Sequence, residues 1–446
     1  MGIVKRQINR INSPVIRAII KPIYIVLLQS YKALFRLTEL PKIKRLVKVH
    51  HEIVLRHKEN PPVQVNIAFI VVNASIWKYD ELFKAMLQDK LFNPIIFACP
   101  LNYLDPQDQQ KELDRIEFQF SEKKYPIIKA TQDKEGQWID LKKLFNPHVV
   151  FFTNPHEVTD RAYCIGNFLD TLTCYAPYSV MSTNKPYLQN DTLFHNLLWR
   201  NYVETSFHFK MACKYSRMKG KNTRVAGSAI YESLKLNVIN SNPWTNVSAD
   251  QKKIIYAPHH TFSDLEETNF STILENGLFI LEMAKKYKSK LHVAFKPHPN
   301  LKTKLYEYPL WGKEKTDEFY YAWEELPNTQ LEEGDYIDLF LQSDAMILDS
   351  ISFMTEYAFT GKPSLFLLKD RKSKRMFNDY GKAILNQLYQ AYNHAEIEVF
   401  IQNVLAGSDL MSVQRNQFIE DHFKEGSTTF STFVVEDLKM VVSQSS

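Results

Sequence analysis

The sequence predicts an α/β protein with two Rossmann-like, doubly wound domains that face a cleft, preceded by an amphipathic helical arm. First, short apolar runs alternate with stretches of helical periodicity from residue 65 to residue 368, which is typical of parallel sheets covered by helices. Second, polar clusters directly follow several of these runs, and parallel strands place such clusters at one edge of a sheet. Third, basic charge is concentrated in the first 60 residues.

Composition limits the class of protein. A chain of 446 residues with 45% hydrophobic and 13% aromatic content can bury the cores of two domains and is not disordered as a whole. It has only 12 glycines, and neither a glycine-rich phosphate loop nor a dinucleotide fingerprint is present. The four cysteines lack metal-ligand spacing and are predicted to be reduced residues of a cytosolic protein: Cys99, Cys164, Cys174 and Cys213.

Charge separates the first 60 residues from the rest of the chain. Residues 1–60 hold thirteen Lys and Arg against three Glu, a net charge of +10, and the remaining residues carry a net charge of −5. The body of the protein is therefore mildly acidic, and no nucleic-acid partner is expected.

Residues 1–60 are predicted to form a basic amphipathic arm. Ser13-Pro14 is a good helix start. Apolar residues then recur at helical spacing with basic residues opposite them, which suits the surface of an anionic membrane. The apolar run from residue 23 to residue 28 is too short to span a bilayer. The alternative is a helix packed on the body with its lysines in water.

The first domain is predicted at residues 61–240 and is expected to be Rossmann-like. Its apolar runs predict strands, and its amphipathic stretches predict helices between them. The strands are expected at residues 65–72, 94–99, 147–153 and 172–176, and the helices at 80–88 and within 102–124.

The second domain is predicted at residues 241–410, and residues 411–446 are predicted to be a helical segment that crosses back to the first domain. The second domain repeats the alternation of strand and helix, so a second parallel sheet is expected. Its strands are predicted at residues 254–257, 291–295, 345–348 and 364–368, and its helices at 271–287, 336–342 and 351–360.

Three polar clusters follow strands of the second domain. They are Pro258-His259-His260-Thr261, Lys296-Pro-His298-Pro299 and Asp349-Ser350-Ile-Ser352. Ser350 and Ser352 lie at a predicted helix start, where free N–H groups and the helix dipole favour an anion, and Glu356 shares a helix face with Ser352. The clusters predict a phosphate-binding site. The alternative for Asp349 and Ser350 is simple capping of the helix.

These residues resemble a known family. Lys296-Pro-His298-Pro299, Asp335 to Asp344, Asp349 to Glu356 and Gly361-Lys-Pro363 are similar to the motifs of CDP-glycerol glycerophosphotransferases, the teichoic-acid and capsule primases and polymerases of GT-B fold. The similarity is densest over residues 252–368. It implies that His298 contacts the nucleotide diphosphate and that Ser352 donates to it. Bacterial CMP-sialic acid and Kdo transferases have a similar His-Pro plus serine arrangement.

The chain departs from the family in the first domain. Teichoic-acid polymerases carry a histidine in a Trp-His-Gly-Thr-like motif that is thought to act as the base, whereas the corresponding place here reads Tyr175-Ala-Pro-Tyr-Ser179. His156, which follows its own predicted strand, is a substitute candidate. His259 and His260 are further candidates for the base or for a second phosphate contact.

The resemblance implies a transferase that moves glycerol phosphate or ribitol phosphate from a CDP-activated donor to a lipid-linked or growing cell-surface polysaccharide. It also implies that residues 61–240 form the acceptor domain and residues 241–410 the nucleotide-donor domain. The predicted donor-binding residues are Lys296, Asp349, Ser350, Ser352 and Glu356. No cofactor is expected, and no metal is expected because no Asp-x-Asp pair lies near the site. The expected location is cytoplasmic, peripheral on the inner face of the plasma membrane.

Two other functions remain open at this point. One is a GT-B glycosyltransferase that uses a CMP- or UDP-sugar in capsule or lipopolysaccharide synthesis. The other is a non-catalytic protein that binds nucleotide or membrane.

Overall fold

The computed structural model describes residues 38–236, 238–239, 241–262, 269–423 and 428–442. Its first helix, α1, covers residues 38–59. One face of α1 packs on the first domain through buried Ile43, Leu46 and Ile53, while Lys44 and Lys48 are exposed. The predicted helix start at residue 13 lies outside the described residues. No helix in the described part of the chain is long and apolar enough to cross a bilayer.

The first domain is an alternating α/β unit. Its strands are β1 (Val65–Val71), β2 (Phe92–Ala98), β3 (Ile127–Lys129), β4 (Val149–Phe152), β5 (Leu172–Tyr175), β6 (Arg200–Val203) and β7 (Thr223–Val225). Its helices are α2 (Asp80–Gln88), α3 (Pro106–Glu122), α4 (Leu141–Phe145), α5 (Pro186–Asn190), α6 (Leu193–Leu197), α7 (Ser206–Tyr215) and α8 (Ala229–Leu236). The longer elements lie where the hydrophobic pattern predicted them. The short strands β3, β6 and β7 were not predicted.

The second domain repeats this plan. Its strands are β8 (Lys252–Ala257), β9 (Leu291–Phe295), β10 (Thr329–Leu331), β11 (Ala345–Leu348), β12 (Ser364–Leu367) and β13 (Tyr389–Ala391). Its helices are α9 (Ile273–Lys286), α10 (Leu301–Tyr306), α11 (Gly312–Glu325), α12 (Ile337–Gln342), α13 (Ile351–Ala358), α14 (Asp379–Leu385) and α15 (His394–Leu405). Gly361 follows α13 with a φ of +75°, the left-handed conformation with which a glycine ends a helix.

Both sheets are parallel and doubly wound. The strand order is β3-β2-β1-β4-β5-β6-β7 in the first sheet and β10-β9-β8-β11-β12-β13 in the second. In each sheet the crossovers diverge from the first strand, so the switch points lie between β1 and β4 and between β8 and β11. Ligands of open α/β sheets bind at such points, outside the carboxyl ends of the strands.

The last two helices are α16 (Ser412–Phe423) and α17 (Phe430–Val442), and α17 packs on the first domain. Phe430, Val434 and Leu438 of α17 are buried in the core of the first domain. In addition, Asp437 accepts hydrogen bonds from Arg200 Nε and from the Tyr202 hydroxyl, both at 2.9 Å. The chain therefore crosses back after completing the second domain.

A loop of the first domain is fixed to the second domain beside the cleft. The Asn378 amide donates to the Met181 carbonyl at 2.7 Å, and the Asn378 backbone N–H donates to the Ser182 carbonyl at 2.9 Å. Thr183 and Phe377 form an antiparallel bridge. Residues 178–183, which follow β5, are thereby held against the second domain.

Candidate functional site: the cleft between the domains

The three predicted polar clusters meet at the switch point of the second sheet. β9, β8 and β11 are neighbours in that order, so the loops after them leave the same edge side by side. The His298 backbone N–H donates to the Pro258 carbonyl at 3.1 Å, which ties two of the loops together. The structure thus brings His259, His298 and Ser350 to one place.

These loops form one wall of a cleft of about 1420 Å³, counting the part open to solvent. The second domain contributes, among others, His259, Lys296, His298, Asp335, Tyr336, Ser350, Ser352 and Glu356. The first domain contributes Ser75, Lys78, residues 178–183 and Gln189 from the other side. The cleft therefore lies between the two domains, with most of the predicted donor-binding residues in it.

Backbone contacts set the tautomers of two imidazole rings. The Thr261 N–H donates to His259 Nδ1 at 3.2 Å, and the Asn300 N–H donates to His298 Nδ1 at 3.1 Å. A nitrogen that accepts from an N–H carries no proton, so the proton of the neutral ring is on Nε2. Both residues line the cleft and so have an N–H group available to a ligand there.

The histidines of the cleft are neutral near pH 7. Burial, reinforced by His260 and His298, lowers the pKa of His259 to about 2. Burial, together with His260 and Lys304, lowers the pKa of His298 to about 3. Burial and Lys304 lower the pKa of His260 to about 4. Each ring can therefore contribute a hydrogen bond rather than a full positive charge in the unliganded protein.

One ring nitrogen from each of His259, His260 and His298 lies within 4.8 Å of the others, the spacing of a metal-ligand cluster. The tautomers of His259 and His298 do not suit metal binding. A metal ligand presents a lone pair and donates its other ring N–H to an acceptor, whereas His259 and His298 accept at Nδ1 and carry their protons on Nε2. The arrangement fits an anion that accepts hydrogen bonds.

Asp349 lies beneath the cleft instead of in it. Its side chain is fully buried, and one carboxylate oxygen accepts from the His259 backbone N–H at 2.5 Å. The other oxygen accepts from the Thr272 N–H at 2.5 Å and from its hydroxyl at 2.9 Å. Burial raises the pKa of Asp349 to about 7. These contacts position the histidine loop and leave Asp349 no direct place beside a ligand.

Ser350 and Ser352 lie at the start of α13. Ser350 is the N-cap residue, but its side chain makes no capping hydrogen bond, so the hydroxyl is available to another acceptor. Both residues line the cleft. The first N–H groups of α13 and its dipole add to this donor set.

The two lysines of the cleft approach from opposite domains. Lys296 donates to the Gly334 carbonyl at 2.6 Å. Lys78 of the first domain lies 4.6 Å above the Tyr336 ring, and the Tyr336 hydroxyl donates to Glu356. Burial lowers the pKa of both lysines, with nearby carboxylates opposing that shift, and burial raises the pKa of Glu356.

His156 is not part of this cleft. It is an exposed residue on the loop after β4 and lines a separate cavity of the first domain. Conversely, Lys78 and Tyr336 were not predicted as site residues. Lys78 lies in the segment that follows the first strand, and the rule that ligands bind at the carboxyl ends of parallel strands applies there as well.

Comparison with known proteins finds a family model that matches the second domain and the C-terminal helices. Residues 235–438 match the family model described as CDP-Glycerol:Poly(glycerophosphate) glycerophosphotransferase. The match covers slightly less than half of the chain. The predicted relationship is confirmed, and the protein is a transferase of the glycerophosphotransferase type. No curated protein sequence matches the chain.

Solved structures show the fold of this glycerophosphotransferase. UDP-GlcNAc 2-epimerase from Neisseria meningitidis, bound to UDP-GlcNAc, is 14% identical with a TM-score of 0.57 over 84% of this chain and 100% of that chain. The S. aureus MnaA–UDP co-structure is 15% identical, with a TM-score of 0.52. The match covers 84% of this chain and 96% of that chain. A variant of the wall teichoic acid polymerase TagF is 12% identical, with a TM-score of 0.51. The match covers 93% of this chain and 98% of that chain. The predicted GT-B-like fold of two parallel-sheet domains is confirmed.

Proposed function

We propose that this protein transfers glycerol phosphate or ribitol phosphate from a CDP-activated donor to a hydroxyl group of a lipid-linked or growing cell-surface polysaccharide. One observation carries the proposal. The part of the chain that matches the glycerophosphotransferase family brings the start of α13 to one cleft with His259 and His298, whose Nδ1 atoms accept hydrogen bonds and leave the ring proton on Nε2. A diphosphate has the acceptor oxygens that such a donor set requires.

The donor is recognised by hydrogen bonds more than by net charge. The cleft contains two lysines, Lys78 and Lys296, against three carboxyl groups, Glu333, Asp335 and Glu356, so bulk positive charge is absent. His298 and the Ser350 and Ser352 hydroxyls donate to the phosphate oxygens, and His259 donates from the neighbouring loop. Lys296 supplies a nearby positive charge.

The same wall of the cleft binds the ribose and the cytosine base of the donor. Glu356 keeps one oxygen on Tyr336, and its second oxygen can accept from a ribose hydroxyl. Asp349 acts indirectly, by holding the loop that carries His259.

In the reaction, the acceptor oxygen forms a bond to the β-phosphorus and the bond from that phosphorus to the bridging oxygen breaks, so CMP leaves. Charge increases on the phosphate oxygens, where the N–H and O–H donors stabilise it. The acceptor proton goes to a base or to water. His259 and His298 do not serve as that base in their present tautomers, because Nε2 carries the proton.

A thermal-shift panel with CDP, CMP, UDP, CDP-glycerol and CDP-ribitol, each with and without EDTA, tests the donor. A ligand that binds only the folded state raises the melting temperature. We expect the cytidine ligands to do so regardless of EDTA, and His298→Ala to lower turnover by about 100-fold or more while the protein stays folded. A shift with UDP alone supports the glycosyltransferase alternative. The absence of any shift overturns the proposal.

We also place the protein at the inner face of the plasma membrane. The support is the outer face of α1, where Lys44 and Lys48 are exposed while the inner face packs on the domain. Anionic headgroups attract such basic residues at about 1 kcal/mol each. The double variant Lys44→Glu/Lys48→Glu should bind anionic vesicles more weakly than the wild type. Lys84→Glu/Lys111→Glu, which changes exposed lysines elsewhere, is the control, and equal binding by both variants contradicts this location.

A further inference from the structure

A second cavity opens off the cleft inside the first domain. It has about 760 Å³, counting the part open to solvent, and lies at the carboxyl ends of β4, β5 and β6. The cavity and the cleft share four lining residues: Tyr178, Met181, Thr183 and Gln189. A molecule that occupies the cavity therefore reaches the wall of the cleft.

Three residues that line this cavity carry buried side-chain oxygens without a hydrogen-bond partner in the described part of the chain. Among the described residues, both carboxyl oxygens of Glu204, the side-chain oxygen of Asn201 and that of Gln189 are buried without a hydrogen-bond partner, and all three residues line the cavity. Glu204 is only 4% exposed and Asn201 6%. Buried polar atoms are rarely left unpaired, because each costs about 1–3 kcal/mol.

The nearest imidazole does not satisfy Glu204. His208 Nδ1 lies 3.5 Å from Glu204 Oε2, but the two polar positions of the ring are already used. Nε2 lies 3.0 Å from the Met181 carbonyl, which can only accept, so Nε2 carries the proton. Nδ1 then accepts from the Thr205 hydroxyl at 2.9 Å. Glu204 is left for a partner that the described residues do not provide.

Apolar and aromatic side chains form much of the remaining lining, which also holds Lys185 and several histidines. It includes Pro155, Tyr175, Pro177, Leu188 and Met211. Pockets for small molecules combine a largely apolar and aromatic lining with a few polar groups that fix the orientation of the ligand. Hydroxyl groups both donate and accept, so they can pair with the carboxyl and amide oxygens described above.

We propose that this cavity is the acceptor subsite, where Glu204, Asn201 and Gln189 bind the hydroxyl-bearing end of a polyol or sugar chain. The inference rests on the proposed function and adds the place where the second substrate binds. The shared wall at Tyr178, Met181 and Thr183 positions an acceptor hydroxyl beside the cleft in which the donor diphosphate lies. Glu204 binds the acceptor from the first domain, which lacks the family's histidine motif.

A synthetic glycerol-phosphate trimer tests the subsite by isothermal titration calorimetry, with CDP present to occupy the cleft. Glu204→Leu removes both carboxyl oxygens and places an apolar side chain in a buried position, which keeps the fold. We expect it to weaken trimer binding at least tenfold. Met211→Phe, which narrows the cavity without changing charge, should weaken binding in the same direction.

Glu112→Leu is the matched control, because Glu112 also has a buried carboxyl oxygen without a partner but lies on α3, away from the cavity. It should bind the trimer as the wild type does. Failure of the wild type to bind the trimer, or equal binding by Glu204→Leu, overturns the subsite. The melting-temperature shift with CDP-glycerol is measured on every variant and separates the two proposals, since loss of that shift in the wild type contradicts the donor assignment instead.

Discussion

The carboxylate of Asp349 accepts the backbone N–H of His259 at 2.5 Å, joining the ends of β11 and β8 across the switch point of the second sheet. Its other oxygen accepts two hydrogen bonds from Thr272, at the start of α9. One buried side chain thus connects three segments of the cleft wall. His259 takes its place beside His298 because Asp349 holds the loop from below.

Asp349→Asn should therefore disrupt the cleft without touching a ligand. The amide has one acceptor oxygen instead of two and sets an N–H group against donors, so at least one buried donor loses its partner. We expect a loss of about 1–3 kcal/mol in the free energy of unfolding and weaker CDP binding, measured by urea denaturation and by calorimetry.

Asp344→Asn is the control for that experiment. Asp344 lies just before the other end of β11, where it accepts from the Lys253 N–H at 2.8 Å, and its side chain is 32% exposed. CDP binding should be unchanged in this variant. Normal CDP binding by Asp349→Asn would contradict the role given to Asp349.

Lys78 should matter for the donor although it belongs to the first domain. Its ammonium group lies over Tyr336 and near Glu356 and Asp335, so it brings positive charge to the cleft only when the domains face each other. Lys78→Met should raise the Kd for CDP-glycerol by about tenfold, equivalent to about 1.4 kcal/mol. Lys84→Met, at a half-exposed lysine of α2, should bind as the wild type does. Equal affinities for both variants would exclude Lys78 from donor binding.

The sequence predicted which loops of the second domain meet in the cleft because of a general property of parallel sheets. His298 and Ser350 follow buried strands whose carboxyl ends share an edge, and the apolar runs alone locate those strands. The same rule applied to β1 would have found Lys78.

Other features depend on contacts that a sequence does not contain. The Nε2–H tautomer of His259 requires the Thr261 N–H to fold back on the ring, and the inward turn of Asp349 requires Thr272 to lie below it. The strand β6 was missed because Arg200-Asn-Tyr-Val203 is short and half polar. The unpartnered state of Glu204 appears only once His208 is seen to be occupied.

Gly381 allows the close contact between the domains beside the cleft. A Cβ atom at this position would lie 2.1 Å from the Ser182 carbonyl oxygen and 3.0 Å from Phe377 Cβ. Gly381→Ala should therefore push residues 178–183 away from the second domain, lowering the free energy of unfolding by about 1–3 kcal/mol and weakening CDP-glycerol binding. Both quantities are measured by urea denaturation and calorimetry.

Gly166→Ala provides the comparison, since a Cβ there meets nothing within 4 Å. This variant should match the wild type in stability and binding. If Gly381→Ala does so as well, the loop is not fixed to the second domain as described.

Glu204 makes the stability of the protein depend on pH. Burial raises the pKa of its carboxyl group to about 8, against about 4.3 in an unfolded chain. The titratable groups around it are His208, His195, Tyr79, Tyr175, Tyr178 and Tyr380, with His156 and Lys185 at the cavity lining. Burial lowers the pKa values of His195 and His208 to about 4, so neither supplies a positive charge near neutral pH.

Between pH 4.3 and pH 8 the folded protein therefore holds a proton on Glu204 that the unfolded chain has released. In this window the contribution of Glu204 to stability falls as pH rises, by up to about 1.4 kcal/mol per pH unit, and it levels off above pH 8. Residue 204 does not titrate in the Glu204→Gln variant. The free energy of unfolding of this variant, minus that of the wild type, should therefore be larger at pH 8.5 than at pH 5.5. Urea denaturation at those two pH values measures the difference. A difference that is the same at both would mean that the carboxyl group is ionised in the folded protein throughout, and that the cavity is not the desolvated site described above.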